Sequence, residues 1–131
     1  QPYPILAAAT ALWSDEEHVV ANRARYRETF ELAQKILGPI FGEVRSGGGF
    51  FLWLDVGDGE QATVELWKRA AIKVLPGGYM ARPDASSGKT GGDNPGQRYI
   101  RVALVYEPAE MEPVLKRMAA VLADFLGKKV A

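Results

Sequence analysis

The sequence predicts an α+β fold, a two-layer sandwich in which a small, mostly antiparallel sheet is packed by helices. Three observations carry that prediction. Residues 50–56 and 98–106 are apolar runs of strand length, rich in aromatic or β-branched side chains. Residues 14–38 and 108–125 instead repeat apolar side chains at the spacing of a helix face. Glycine and proline clusters divide these segments, and the order along the chain reads α-α-β-β-α-β-β-α.

Residues 3–13, with Ile5, Leu6, Leu12 and four alanines, form a nearly all-apolar helix whose natural place is against other structure. Ser14 and Glu17 make a capping-box pattern, so a long helix starts there. Its stripe is Val19, Tyr26, Phe30, Ala33 and Leu37, its solvated face holds Arg25, Glu28, Glu31 and Lys35, and Gly38-Pro39 ends it. A short strand is expected at 43–45. The turn Ser46-Gly-Gly-Gly49 then opens the aromatic strand 50–56, which reads as apolar on both faces.

Gly57-Asp58-Gly59 breaks that strand, and residues 61–71 form a helix expected to turn Val64, Trp67 and Ala71 inward. A short strand follows at 72–75. Leu75-Pro76-Gly77-Gly78 carries the residues of a type II turn, after which Tyr79 and Met80 extend. Residues 81–97 read as a long mobile loop ending in a second type II turn, Asn94-Pro95-Gly96-Gln97. The strand 98–106 alternates Ile100, Val102 and Leu104 on one face with Tyr99, Arg101, Ala103 and Val105 on the other. From Pro108 a last helix presents Met111, Leu115, Met118, Val121, Leu122 and Phe125, and 127–131 is a frayed tail. Trp13, Trp53 and Trp67 read as core.

Composition narrows the function. The 131 residues make one domain, 47% hydrophobic and 24% charged, with a formal net charge of zero. Balanced, unclustered charge argues against nucleic acid or an anionic membrane as partner. The absence of cysteine and the single histidine argue against a metal cluster, and no apolar run reaches the roughly 18–20 residues of a membrane span. The chain starts at Gln1-Pro2, which sets the expectation of a piece of a longer parent.

Arg101 is the residue that demands an explanation. A guanidinium on an apolar strand is costly to desolvate unless an anion meets it, and its planar fork matches a carboxylate bidentately. The bland reading is an internal ion pair with a neighbour such as Asp55. The alternative is a ligand carboxylate. Other motifs carry less. Gly88-Lys89-Thr90 lacks the phosphate-loop glycine, since residue 83 is Pro83, and no helix can follow it. Ser46 to Gly49 lacks dinucleotide spacing and reads as a plain turn. His18 reads as a surface residue, and Asp55 as a strand-end aspartate binding the next turn.

Several stretches then coincide. Gly48-Gly-Phe-Phe-Leu-Trp53, Val74-Leu-Pro-Gly77 with Tyr79, Asn94-Pro-Gly96 and Tyr99-Ile-Arg101-Val-Ala-Leu104 occur in an order and spacing that resemble the C-terminal small domain of class I/II, fold-type I, pyridoxal-phosphate-dependent aminotransferases. The detail looks most similar to the succinyldiaminopimelate aminotransferases of lysine and peptidoglycan-precursor synthesis. The resemblance implies that Arg101 grips the substrate α-carboxylate, with Arg82 meeting a distal carboxylate and Asn94 lining the site. It implies pyridoxal phosphate as cofactor of the parent only, because the Schiff-base lysine and the phosphate-binding groups belong to a large domain not matched here. Residues 1–13 would lead in from that domain. The implied partners are amino-acid and keto-acid substrates, the large domain and a second subunit, in the cytoplasm, and the isolated chain would be inactive. A free-standing carboxylate-binding regulatory module and a structural interaction domain remain the rival readings.

Overall fold

The computed structural model describes residues 2–82 and 94–127. Its helices are α1 (Tyr3–Ser14), α2 (Glu17–Phe41), α3 (Gly59–Ala70) and α4 (Pro108–Phe125), and its strands are β1 (Phe51–Asp55), β2 (Leu75–Pro76) and β3 (Tyr99–Ala103). The strands form one antiparallel sheet in the order β1-β3-β2. β3, the last strand in sequence, is therefore the middle one. This is the expected α+β architecture. The larger parts of the 81–97 loop and the 127–131 tail, with Gly88-Lys89-Thr90, lie outside the described residues.

One face of the sheet makes the core. Leu52, Leu54, Ile100, Val102 and Leu104 are buried, and α4 packs against both α2 and α3. Its stripe Met111, Leu115, Met118, Val121 and Leu122 is buried as the periodicity predicts, with Phe125 partly so. From α2, Phe30, Ala33, Leu37 and Ile40 close the same core. The other face of the sheet is open, contrary to the expectation of strands buried on both sides. Trp53 is 42% exposed, Trp67 61% and Trp13 85%, so none of the three tryptophans is core. Aromatic strand residues meet the packing requirement of a pleated surface whether or not a second layer covers them.

Several local signals resolve differently from their sequence patterns. Ser14 stays in α1, its Oγ donating to the Thr10 carbonyl at 2.9 Å, so no capping box forms. The N-cap of α2 is Glu16, whose side chain makes no cap bond, and Asp15 just before it accepts the Glu17 N–H at 3.0 Å. Pro39 does not end α2. The helix runs on to Phe41, burying Ile40, and stops where Gly42 adopts a φ of +80°. Residues 43–45 form no strand, because the Val44 N–H bonds the Gln34 side chain at 2.9 Å and the Arg45 N–H bonds Glu43. Helix α3 turns Ala62 and Leu66 inward, leaving Val64 and Trp67 outside. Of the strand expected at 72–75 only Leu75 pairs, as the first residue of the two-residue β2, Leu75–Pro76.

α1 forms as expected but buries none of its residues among those described. Tyr3, Leu12 and Trp13 face outward.

Candidate functional site

The open sheet face is built by alternation. Phe51, Trp53 and Asp55 on β1 and Tyr99, Arg101 and Ala103 on β3 point away from the helices. Arg101 occupies the middle strand, with Trp53 on one side and Leu75 on the other as its Cα partners. It is partly buried, and its guanidinium carbon lies 5.3 Å from the centroid of the Phe51 ring. Among the described residues, no carboxylate and no hydrogen-bond acceptor binds it.

Asp55 is engaged elsewhere. Its Oδ2 accepts from Arg98 Nε at 3.1 Å and Nη2 at 3.0 Å, and its Oδ1 accepts the Gly57 N–H at 3.0 Å. The strand-end role read for Asp55 is thus present, while the internal pair with Arg101 is not. Register gives the reason. Asp55 faces Tyr99, one residue from Arg98, whereas Arg101 lies two residues further along, about 6–7 Å away.

The turns beside Arg101 are held by close backbone packing. Pro76 has the φ of −61° and ψ of 131° of a type II turn, but Gly77 does not take the left-handed conformation expected of it. Instead Gly77–Tyr79 makes a turn of 3-10 helix, with the Met80 N–H on the Gly77 carbonyl at 2.9 Å. Tyr79 and Met80 are therefore not extended. Glycine is needed at 77 for space: a Cβ there would lie 2.5 Å from the Gly96 carbonyl oxygen and 2.7 Å from Trp53 Cη2. Gly96 likewise avoids left-handed φ, and a Cβ on it would strike the Gly77 carbonyl. Asn94 ties the two turns together. Its Nδ2 donates to the Gly78 carbonyl at 2.8 Å and to Ala81 at 3.3 Å, while its Oδ1 accepts the Gly96 N–H at 2.9 Å.

Trp53 leans over Gly77 and stacks on Tyr99, ring centroids 5.3 Å apart and 14° between planes. Beyond it, Tyr79 is exposed and the neighbouring Glu60 carboxylate pushes its phenol above the ordinary tyrosine value. Arg82 is exposed at the far end of this turn and binds no described residue. Of the three residues singled out from sequence, Arg101 faces open space, Asn94 is spent on backbone, and Arg82 stands apart. Phe51, the Trp53–Tyr99 stack and the Arg98–Asp55 pair escaped the sequence reading. Strand alternation alone places Phe51 on the face of Arg101; the register that brings them together does not follow from composition.

His18 is exposed, its Nδ1 2.9 Å from Asp15 Oδ2. No group of three or more metal-ligating side chains occurs among the described residues. Every described lysine, 35, 68, 73 and 116, is exposed, and Lys116 pairs with Glu112 at 2.6 Å. The described residues therefore do not fit a Schiff-base cofactor by themselves. They fit a planar anion, since Arg101 offers unused N–H donors in a fork that matches a carboxylate.

No family model and no curated protein sequence matches the chain. Solved structures similar to it include two aminotransferases. An aminotransferase from Neisseria meningitidis Z2491 superposes with a TM-score of 0.80 and 36% identity over 91% of this chain and 29% of its own. An aromatic aminotransferase from Pyrococcus horikoshii OT3 does so with a TM-score of 0.66 and 26% identity, over 90% of this chain and 30% of its own. The chain thus spans less than a third of the length of either, and its fold is that of an aminotransferase small domain.

Proposed function

We propose that this chain is the substrate-binding small domain of a pyridoxal-phosphate-dependent aminotransferase and that Arg101 holds the α-carboxylate of the amino-acid substrate. The observation that carries this reading is the state of Arg101: partly buried at the centre of an open sheet face, with no carboxylate among the described residues paired to it. Asp55, the acid best placed in sequence to neutralise it, pairs with Arg98 instead. The similarity to two aminotransferases supports an amino acid as the class of ligand.

Arg101 binds and orients; it transfers no proton. Two parallel N–H···O bonds fix a carboxylate in the guanidinium plane and so fix the rotation of the substrate about its Cα. The backbone-to-backbone contact of Gly77 with Gly96, bridged by Asn94, holds the wall beside it. Arg82, exposed at the far end of the turn, is the group proposed to meet a second, distal carboxylate. Within the aminotransferases we assign the substrate as succinyldiaminopimelate, on the strength of the Leu75-Pro76-Gly77, Asn94-Pro95-Gly96 and Arg101-Val-Ala-Leu104 motifs.

The cofactor-binding lysine is proposed to come from a large domain of the same parent chain, which would leave residues 1–131 inactive alone. The parent is proposed to be a cytoplasmic homodimer; no helix among the described residues is long and apolar enough to cross a membrane.

The test is Arg101→Ala and Arg101→Lys in the complete gene product. Losing two charge-assisted bonds removes about 3–4 kcal/mol, so kcat/KM for the amino donor should fall roughly 10²- to 10³-fold. Lysine restores the charge but not the fork and should recover only part of it. An unchanged kcat/KM in Arg101→Ala would refute the assignment.

A further inference from the structure

We infer that Phe51 is a positioning residue for Arg101, aiming the guanidinium by a cation–π contact that leaves its hydrogen-bond donors for a carboxylate. This rests on the reading of Arg101 as the substrate clamp.

A guanidinium on a long side chain has to be immobilised before it can orient anything. Proteins commonly do this with an acidic neighbour, but a carboxylate would occupy the donors and neutralise the charge that the substrate needs. Arg101 has no such neighbour among the described residues. It has instead a ring face, Phe51, 5.3 Å from its guanidinium carbon. A ring quadrupole attracts the cation while accepting none of its N–H bonds in the guanidinium plane.

The ring is itself held. The Phe50 and Phe51 rings meet edge to face, centroids 5.5 Å apart and 85° between planes, and the Phe50 and Tyr26 ring centroids lie 6.2 Å apart. Tyr26, Phe50 and Phe51 thus form an aromatic chain running from α2 to the start of β1, where Phe51 meets Arg101. Edge-to-face contact of this kind fixes ring orientation as well as burying area. On the other flank, Trp53 is committed to Tyr99 and Gly77 and does not take the guanidinium. The specific partner of Arg101 among the described residues is therefore Phe51.

The experiment uses the complete gene product with L-glutamate, L-alanine and L-aspartate as amino donors, and variants Phe51→Leu, Phe51→Tyr and Arg101→Ala. Phe51→Leu keeps an apolar side chain on the sheet but loses the quadrupole. It should raise KM for the best donor about 3- to 30-fold, while the thermal midpoint falls by no more than the few degrees that loss of the Phe50 ring contact explains. Phe51→Tyr keeps the ring and should stay within about twofold of the parent. Equal kinetics for Phe51→Leu and the parent, alongside a large loss in Arg101→Ala, overturns the role of Phe51 and leaves the clamp standing. Equal losses in Phe51→Leu and Phe51→Tyr also overturn it, since they mark a steric role. No loss in Arg101→Ala overturns the clamp and the inference with it.

Discussion

Replacing Gly77 with alanine tests the packing that holds the site. The added methyl would lie 2.5 Å from the Gly96 carbonyl oxygen and 2.7 Å from Trp53 Cη2. The indole can move, but the carbonyl belongs to a turn tied down by Asn94 and by the Gln97 N–H on the Asn94 carbonyl at 3.0 Å. Overpacking against fixed backbone costs about 1–3 kcal/mol. Against that, alanine loses less chain entropy than glycine on folding, which returns about 0.4–1 kcal/mol where φ is permissive, as it is here. Two contacts under 3.0 Å put the overpacking cost in the upper part of its range, about 2–3 kcal/mol, so the net expectation is a loss of about 1–2.6 kcal/mol, or a fall in Tm of roughly 3–15 °C for a chain of this size. Gly78→Ala is the control, because its nearest non-neighbour atoms, Asn94 Nδ2 and Gln97 Cα, are 3.7 Å away. It should be neutral or slightly stabilising. Thermal unfolding of both variants by circular dichroism decides the matter. A Gly77→Ala protein as stable as its parent, or a Gly78→Ala protein equally damaged, would refute the reasoning.

Other predictions follow from the same geometry. Leu115→Ala empties a fully buried position on α4 and should cost about 2–5 kcal/mol in urea unfolding, against under about 1 kcal/mol for Arg98→Ala, whose ion pair with Asp55 is solvent-exposed. The Asp15, Glu43 and Glu112 carboxyls are held below their ordinary values, by hydrogen bonds from His18, Arg45 and Lys116 respectively. A carboxyl depressed in the folded state adds stability above its unfolded value, about pH 4. That contribution should fade as pH falls through the folded values. Carboxyl NMR titration should place all three below free peptide controls; midpoints at the control values would contradict the pairing. Asp15→Ala should fray the start of α2, seen as lost amide protection at Glu17, whereas Asp15→Asn keeps an acceptor and should largely retain it.

Periodicity located α1, α2, α3 and α4 and the strands β1 and β3, because an amphipathic stripe or an alternating run is a local property. It also picked out Arg101, whose charge conflicts with its strand. What it missed depends on neighbours remote in sequence. Trp13, Trp53 and Trp67 are exposed because the covering layer, not the side chain, decides burial: Trp53 lies on the open face of the sheet, Trp13 on α1, which buries none of its residues, and Trp67 on the outer side of α3. Pro76-Gly77 carries type II chemistry, yet glycine is required there by Gly96 and Trp53 rather than by a left-handed φ. Ser14 gives up its cap because α1 extends through it, and Pro39 stays helical because Ile40 reaches the core. The choice of Arg98 over Arg101 by Asp55 follows from register, which single-strand patterns leave open.

The central claim, that Arg101 receives the substrate α-carboxylate, is tested most directly by a crystal structure of the complete gene product with an amino-acid substrate bound. The expected result is the α-carboxylate in the plane of the Arg101 guanidinium, with two N···O distances of about 2.7–2.9 Å and the Phe51 ring still against the cation. Arg101 paired with a carboxylate of the protein, and the substrate bound elsewhere, would contradict it.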